Sequence, residues 1–149
     1  MNALTEKRYL ELPQPSGSDF LAARERLLAA LPDGCRLTLP CLQSLYPVLH
    51  EAGYCVTVTL CPGEDGTDAV RVEPGDTTRQ HYGVCLDIGS TTMQMELVDL
   101  SSGRTLASSA CTNSQTQFGA NILDRILAVR ADAENLRTLH ALTLSDVQQ

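Results

Sequence analysis

Residues 82–100 read Y-G-V-C-L-D-I-G-S-T-T-M-Q-M-E-L-V-D-L: an apolar strand into Asp87, a turn over Gly89, Ser90, Thr91 and Thr92, and a second strand out. Val84, Leu86 and Ile88 alternate with Gly83, Cys85 and Asp87, and the returning segment mixes Met93, Met95, Leu97 and Val98 with Gln94 and Glu96. This period-two alternation predicts a sheet with two unlike faces. A turn at Ser101, Ser102 and Gly103 leads to a third strand expected over 104–111. A carboxylate ending a buried strand, followed by a glycine and three hydroxyl residues, suits a phosphate and its magnesium ion. Gly89 can take φ > 0 and bring the main chain close to an oxyanion. Successive N–H groups in such a turn form an anion-binding concavity, to which Ser90, Thr91 and Thr92 add donors. Asp87 would hold Mg²⁺ through one carboxylate, with waters filling the remaining positions. The same residues also suit a plain hairpin capped by an aspartate, and so short a motif does not separate the two.

Composition narrows the partners. A chain of 149 residues makes one domain or two small ones, and 43% hydrophobic residues suffice for a core. Four Tyr, two Phe and no Trp imply aliphatic packing and no aromatic stripe for stacking bases. The net charge of −7 argues against nucleic acid or another polyanion, although main-chain N–H groups can still hold one phosphate group locally. No apolar run is long enough to span a bilayer, and the N-terminal octet Met1–Arg8 has no apolar signal core, so a cytoplasmic location is expected. The six cysteines, at 35, 41, 55, 61, 85 and 111, contain no C-x₂-C pair and indicate neither a zinc site nor an iron–sulfur cluster. They read as unbridged structural thiols. His50, His81 and His140 are scattered and form no ligand set.

Along the chain, a strand is expected over 7–12, then a helix from about Asp19 to Leu31 capped by Ser16 or Ser18. Phe20, Leu21, Leu27, Leu28 and Leu31 would form its apolar face, with Arg24, Glu25 and Arg26 in water. Pro47 is expected to break the next helix into pieces at 40–45 and 47–52. Y-C-V-T-V-T-L at 54–60 predicts a strand, paired as a hairpin with 69–73. Pro74, Gly75, Asp76, Thr77 and Thr78 interrupt all periodicity, placing a boundary at about residue 79. The fold class is α+β, with domains at 1–79 and 80–149. Beyond the three strands come a polar connection at 112–118 and a helix over 120–129, with Ile122, Leu123, Ile126 and Leu127 on one face. A last helix is expected from Asp132 to Leu142, followed by a frayed end.

Five stretches, taken in order, resemble the reductive activators of corrinoid proteins, within the actin-like (ASKHA) ATPase superfamily of sugar kinases, heat-shock chaperones and actin. They are K-R-Y-L-E-L-P-Q-P-S (7–16), V-E-P-G-D-T (72–77), Y-G-V-C-L-D-I-G-S-T-T (82–92), L-V-D-L-S-S-G (97–103) and N-S-Q-T-Q-F-G-A-N-I-L-D-R-I (113–126). The resemblance implies a small middle or linker domain over 1–79. After it would come the start of an actin-like, ribonuclease H-like ATPase lobe of three antiparallel strands and helices. It implies ATP and Mg²⁺ as cofactors of the parent protein, used to drive reduction of Co(II) to Co(I) in a corrinoid protein of a methyltransferase system. Carried over, Asp87 holds the magnesium–phosphate end, and Gly89, Ser90, Thr91 and Thr92 form the phosphate hairpin. Asn113, Gln115, Gly119 and Arg125 match a family segment whose individual roles the sequence does not assign.

The chain departs from this pattern in three ways. The cysteine-rich domain expected to carry a [2Fe–2S] cluster is missing, as are the second phosphate hairpin and adenosine pocket. Ser114 stands where a proline is expected, and Asn121 where an aspartate is expected, which puts any metal role there in doubt. The chain thus resembles a fragment of an ATP-dependent activator that is inactive alone. The alternatives are another actin-like activator or phosphotransferase, such as a relative of the 2-hydroxyacyl-CoA dehydratase activators, and a non-enzymatic docking module. In the last case an uncovered sheet edge would favour a homodimer or a domain swap.

Overall fold

The computed structural model describes residues 3–149; Met1 and Asn2, the first residues of the octet read above, lie outside them. The chain divides into two units between His81 and Tyr82.

The first unit is a four-stranded sheet in the order β1-β3-β4-β2, with β1 Glu6–Glu11, β2 Arg36–Leu37, β3 Cys55–Gly63 and β4 Gly66–Pro74. β3 lies antiparallel to both β1 and β4, whereas β2 runs parallel to β4. Helices α1 (Ala23–Leu28) and α2 (Leu39–Glu51) supply Leu27, Cys41, Leu45 and Leu49 to a core completed by Val56, Val58, Leu60, Ala69 and Val72. Each leucine or valine among them contributes about 1.5–3 kcal/mol when buried. The opposite side of β3 is covered too. Thr57 is fully buried, donating from Oγ1 to the Gly75 carbonyl (2.7 Å) and accepting from the Thr77 N–H (2.9 Å), so the chain leaving β4 folds back over it.

Two expectations for this unit are corrected. The first helix covers six residues only, is capped at Ala22 without a side-chain bond, and leaves Phe20 and Leu21 exposed. The cause is Arg26, expected in water but 2% exposed. Its guanidinium binds Asp19 (2.7 Å), the Pro13 carbonyl (2.9 Å) and the Leu21 carbonyl (3.2 Å), which holds 13–21 as a loop around it. Arg26 in turn holds the Asp19 carboxyl below its ordinary value. The second helix is continuous through Pro47. Cys41, Leu45 and Leu49, spaced at i, i+4 and i+8, are each 1% exposed, and their burial outweighs the one hydrogen bond that Pro47 removes.

The second unit is a three-stranded antiparallel sheet in the order β5-β6-β7: β5 Tyr82–Ile88, β6 Thr92–Asp99 and β7 Arg104–Thr112. Its register pairs Leu86 with Met95 and Ile88 with Met93 on one face, and Cys85 with Glu96 and Asp87 with Gln94 on the other. The β6–β7 turn is tied by Asp99, whose carboxyl accepts from the Ser102 hydroxyl and the Ser101 N–H and is held below its ordinary value by them. A 3-10 turn, Ser114–Phe118, then leads to α3 (Ile122–Ala131) and α4 (Asn135–Gln148). The end of α4 is helical rather than frayed, because Asp146, 8% exposed, accepts from the Ser114 N–H (2.8 Å) and hydroxyl (2.7 Å). Among the described residues no helix is long and apolar enough to cross a membrane.

Candidate functional site

The turn between β5 and β6 is held from beneath. The Gly89 N–H closes it onto the Thr92 carbonyl at 3.0 Å. The next three carbonyls are each taken by a group outside the hairpin. Asn113 Nδ2 donates to Gly89 (2.8 Å), Arg125 Nη2 donates to Ser90, and the Asn113 N–H donates to Thr91 (2.8 Å). A planar trans peptide points its N–H opposite its carbonyl, and no described peptide bond is cis. The N–H groups of Ser90, Thr91 and Thr92 are therefore turned away from this bracket. Those of Ser90 and Thr91 have no partner among the described residues, and neither do the exposed Ser90, Thr91 and Thr92 hydroxyls. Unbonded donors gathered on one side of a turn are what an anion requires.

Gly89 is needed for a different reason than expected. Its φ is not positive; instead, a Cβ placed there would lie 2.6 Å from the Thr92 carbonyl oxygen, so the strands close only over a glycine. Asp87 differs as well. It is exposed, on a strand that leaves Val84, Leu86 and Ile88 exposed, so neither strand nor carboxylate is buried. β5 is an edge strand, bonded to β6 alone. The Asp87 carboxylate has no hydrogen-bond or ion-pair partner among the described residues. No group of three His, Cys, Asp or Glu able to hold a metal occurs among them either. One free carboxylate beside hydroxyls fits Mg²⁺ carried by phosphate and water, and does not make a protein-only cage.

The segment 113–125 acquires its roles from this geometry. Asn113, 1% exposed, also caps the 3-10 turn by accepting from the Gln115 N–H (2.9 Å). Arg125, 7% exposed, donates through Nε to the Gly119 carbonyl (3.1 Å) and through Nη1 to Gln115 Oε1 (3.2 Å). Gln115 then donates to the Leu139 carbonyl (2.9 Å) and the Thr143 hydroxyl (2.7 Å) on α4. Gly119 has φ of 146°, which favours glycine, and a Cβ there would strike Asp124. Asn121 is the N-cap of α3, accepting from the Asp124 N–H (3.0 Å) and donating to its carboxylate (2.8 Å). Sequence reasoning missed that cap, though an Asn immediately before an apolar helical run is a preferred N-cap residue. It also missed Thr143 and Asp146, which carry no local signal.

Comparison with known proteins follows this division of the chain. Residues 1–79 match the family model described as RACo linker region, and residues 82–149 match the one described as RACo middle region. The descriptions thus give the linker to the stretch expected as middle or linker domain, and the middle region to the stretch expected as the start of the ATPase lobe. A solved structure titled "Reductive activator for corrinoid,iron-sulfur protein" is similar, with a TM-score of 0.75 and 28% identity over 97% of this chain and 24% of that one. The chain therefore spans about a quarter of that relative's length. No curated protein matches.

Proposed function

The chain belongs to the RACo family, 79 of its 149 residues matching the linker region alone, and on that premise we propose that it forms the linker and middle portion of a reductive activator of a corrinoid protein. In this reading the second unit supplies the first phosphate hairpin of an actin-like ATPase lobe, and the nucleotide is ATP with Mg²⁺. The carrying observation is the set of three consecutive carbonyls drawn inward by Asn113 and Arg125, which frees the opposing N–H groups. Ser90, Thr91 and Thr92 would donate to phosphate oxygens, and Asp87 would hold the magnesium through water. A bound magnesium ion would offset the repulsion between Asp87 and the phosphate. The order strand, turn, strand, turn, strand, helix also supports an actin-like lobe. The electron would come from a [2Fe–2S] cluster outside these residues, and the partner would be a cytoplasmic corrinoid protein of a methyltransferase system.

Titration of the chain with Mg·ATP, followed by amide NMR and calorimetry, tests this. Shifts confined to the amides of residues 89–92 are expected, with weak affinity, because one hairpin offers only part of a donor set. Submicromolar affinity would contradict the partial site. Silence of those amides at millimolar Mg·ATP would overturn the nucleotide reading.

A further inference from the structure

Arg26 and Arg125 are the two buried arginines among the described residues, 2% and 7% exposed, and their surroundings differ in kind. Arg26 is paired with the Asp19 carboxylate at 2.7 Å. Among the described residues the hydrogen bonds of Arg125 go to neutral oxygens: the Ser90 carbonyl, the Gly119 carbonyl and Gln115 Oε1. Among the described residues no carboxylate lies within 4.0 Å of its guanidinium. Its sequence neighbour Asp124 is turned to Asn121 instead. A buried cation is ordinarily paired, since removal from water costs several kcal/mol. This one is fixed in place by Gln115, which α4 holds in turn, and its charge has no counterion inside the unit.

We propose that Arg125 is the positioning residue of the 89–92 anion site, fixing the Ser90–Thr91 peptide and supplying from beneath the positive charge that a bound polyphosphate completes. The inference rests on the phosphate reading of this loop. The guanidinium donates to the Ser90 carbonyl, and the N–H of that peptide points out on the far side. An anion accepting from the Thr91 N–H is thus linked to the cation through one polarised peptide, and bonds in such a chain strengthen one another. The acidic chain gains a local site without presenting a cation at its surface.

Inorganic tripolyphosphate is the probe, titrated into the 149-residue chain and read at the Ser90 and Thr91 amides, for the parent, Arg125→Gln and Arg125→Lys. Loss of a charge-assisted bond predicts at least about tenfold weaker binding for Arg125→Gln, and within about threefold of the parent for Arg125→Lys, which keeps the charge. The β6 and β7 amides report whether each variant is folded, and Arg125→Met, which keeps the apolar stem, replaces Arg125→Gln should the latter unfold. Parental affinity in a folded neutral variant overturns the proposal. So does equal weakening by Lys and Gln, because a purely structural role would not respond to charge. A parent chain that does not bind tripolyphosphate at these amides fails earlier, at the phosphate reading, and takes this inference with it.

Discussion

Replacing Asn113 by Ala should loosen the second unit and leave the first untouched. The Asn113 side chain makes two bonds in a position 1% exposed: Nδ2 to the Gly89 carbonyl at 2.8 Å and Oδ1 from the Gln115 N–H at 2.9 Å. Truncation strands one acceptor and one donor, each costing about 1–3 kcal/mol where water cannot reach it. Gly89 is only half-buried, so water partly replaces its lost bond and the sum falls near 2 kcal/mol. That equals about a 30-fold rise in exchange rate for amides that open only with the whole unit. Native-state hydrogen exchange measures this, reading β6 and β7 against β3 and β4 as the internal reference. Asn113→Asp sharpens the test. It keeps the acceptor for Gln115 but sets a carboxylate oxygen against the Gly89 carbonyl, so at neutral pH it should be at least as damaging as Ala. As pH falls the carboxyl protonates and can donate to Gly89, so the lost protection should return in acid. Unchanged exchange in β6 and β7, or equal acceleration in β3 and β4, would refute the reasoning.

Gly89→Ala should destabilise the second unit by about 1–3 kcal/mol in urea, because its Cβ meets the Thr92 carbonyl at 2.6 Å and the hairpin mouth must open. Leu49→Ala should cost the first unit about 2–5 kcal/mol, seen as faster exchange in β3 and β4 alone, since Leu49 is 1% exposed in the α2 stripe. Burial pushes the Cys41 thiol up to about 11 from 9.0. Its contribution, about 2–3 kcal/mol, is fully present below pH 9 and lost as pH rises from 9 towards 11, so urea midpoints of the parent should fall there more steeply than those of Cys41→Ala. Asp87→Asn should bind metal-free tripolyphosphate about threefold more tightly while its Mg²⁺-dependent gain shrinks, by calorimetry with and without the metal.

Much of the architecture is legible in periodicity. The alternation from Val84 to Leu97 fixes a two-faced sheet, and the observed register pairs its apolar positions across β5 and β6. What periodicity misses is long-range and polar. Nothing near Arg26 in sequence shows that Asp19 and the Pro13 carbonyl will surround it, yet those contacts shorten α1 and expel Phe20. Pro47 reads as a break by local rules, whereas three leucine and cysteine contacts on the buried side of α2 override them. Thr57 and Thr59 alternate with valines as though facing water, but the chain returning through Gly75 and Thr77 covers Thr57.

The candidate site divides along the same line. Its residue types are readable from G-S-T-T, but the orientation of its peptides is not, because that is decided by Asn113 and Arg125, which reach Gly89 and Ser90 across 24 and 35 positions. A segment acting through main-chain carbonyls leaves no trace in the motif it supports. It also reverses the weight given to the residues at first: an exposed, unpartnered carboxylate at 87 repels phosphate unless a metal intervenes, whereas a buried guanidinium attracts it with or without one. The fold accepts an arginine without a carboxylate here because each of its three nitrogens donates to a neutral oxygen, and a carboxylate in their place would cancel the field at the loop. The absence of that partner beside Arg125, in a chain that supplies one to Arg26, is the physical reason to look for the missing negative charge on the outer side of Ser90 and Thr91.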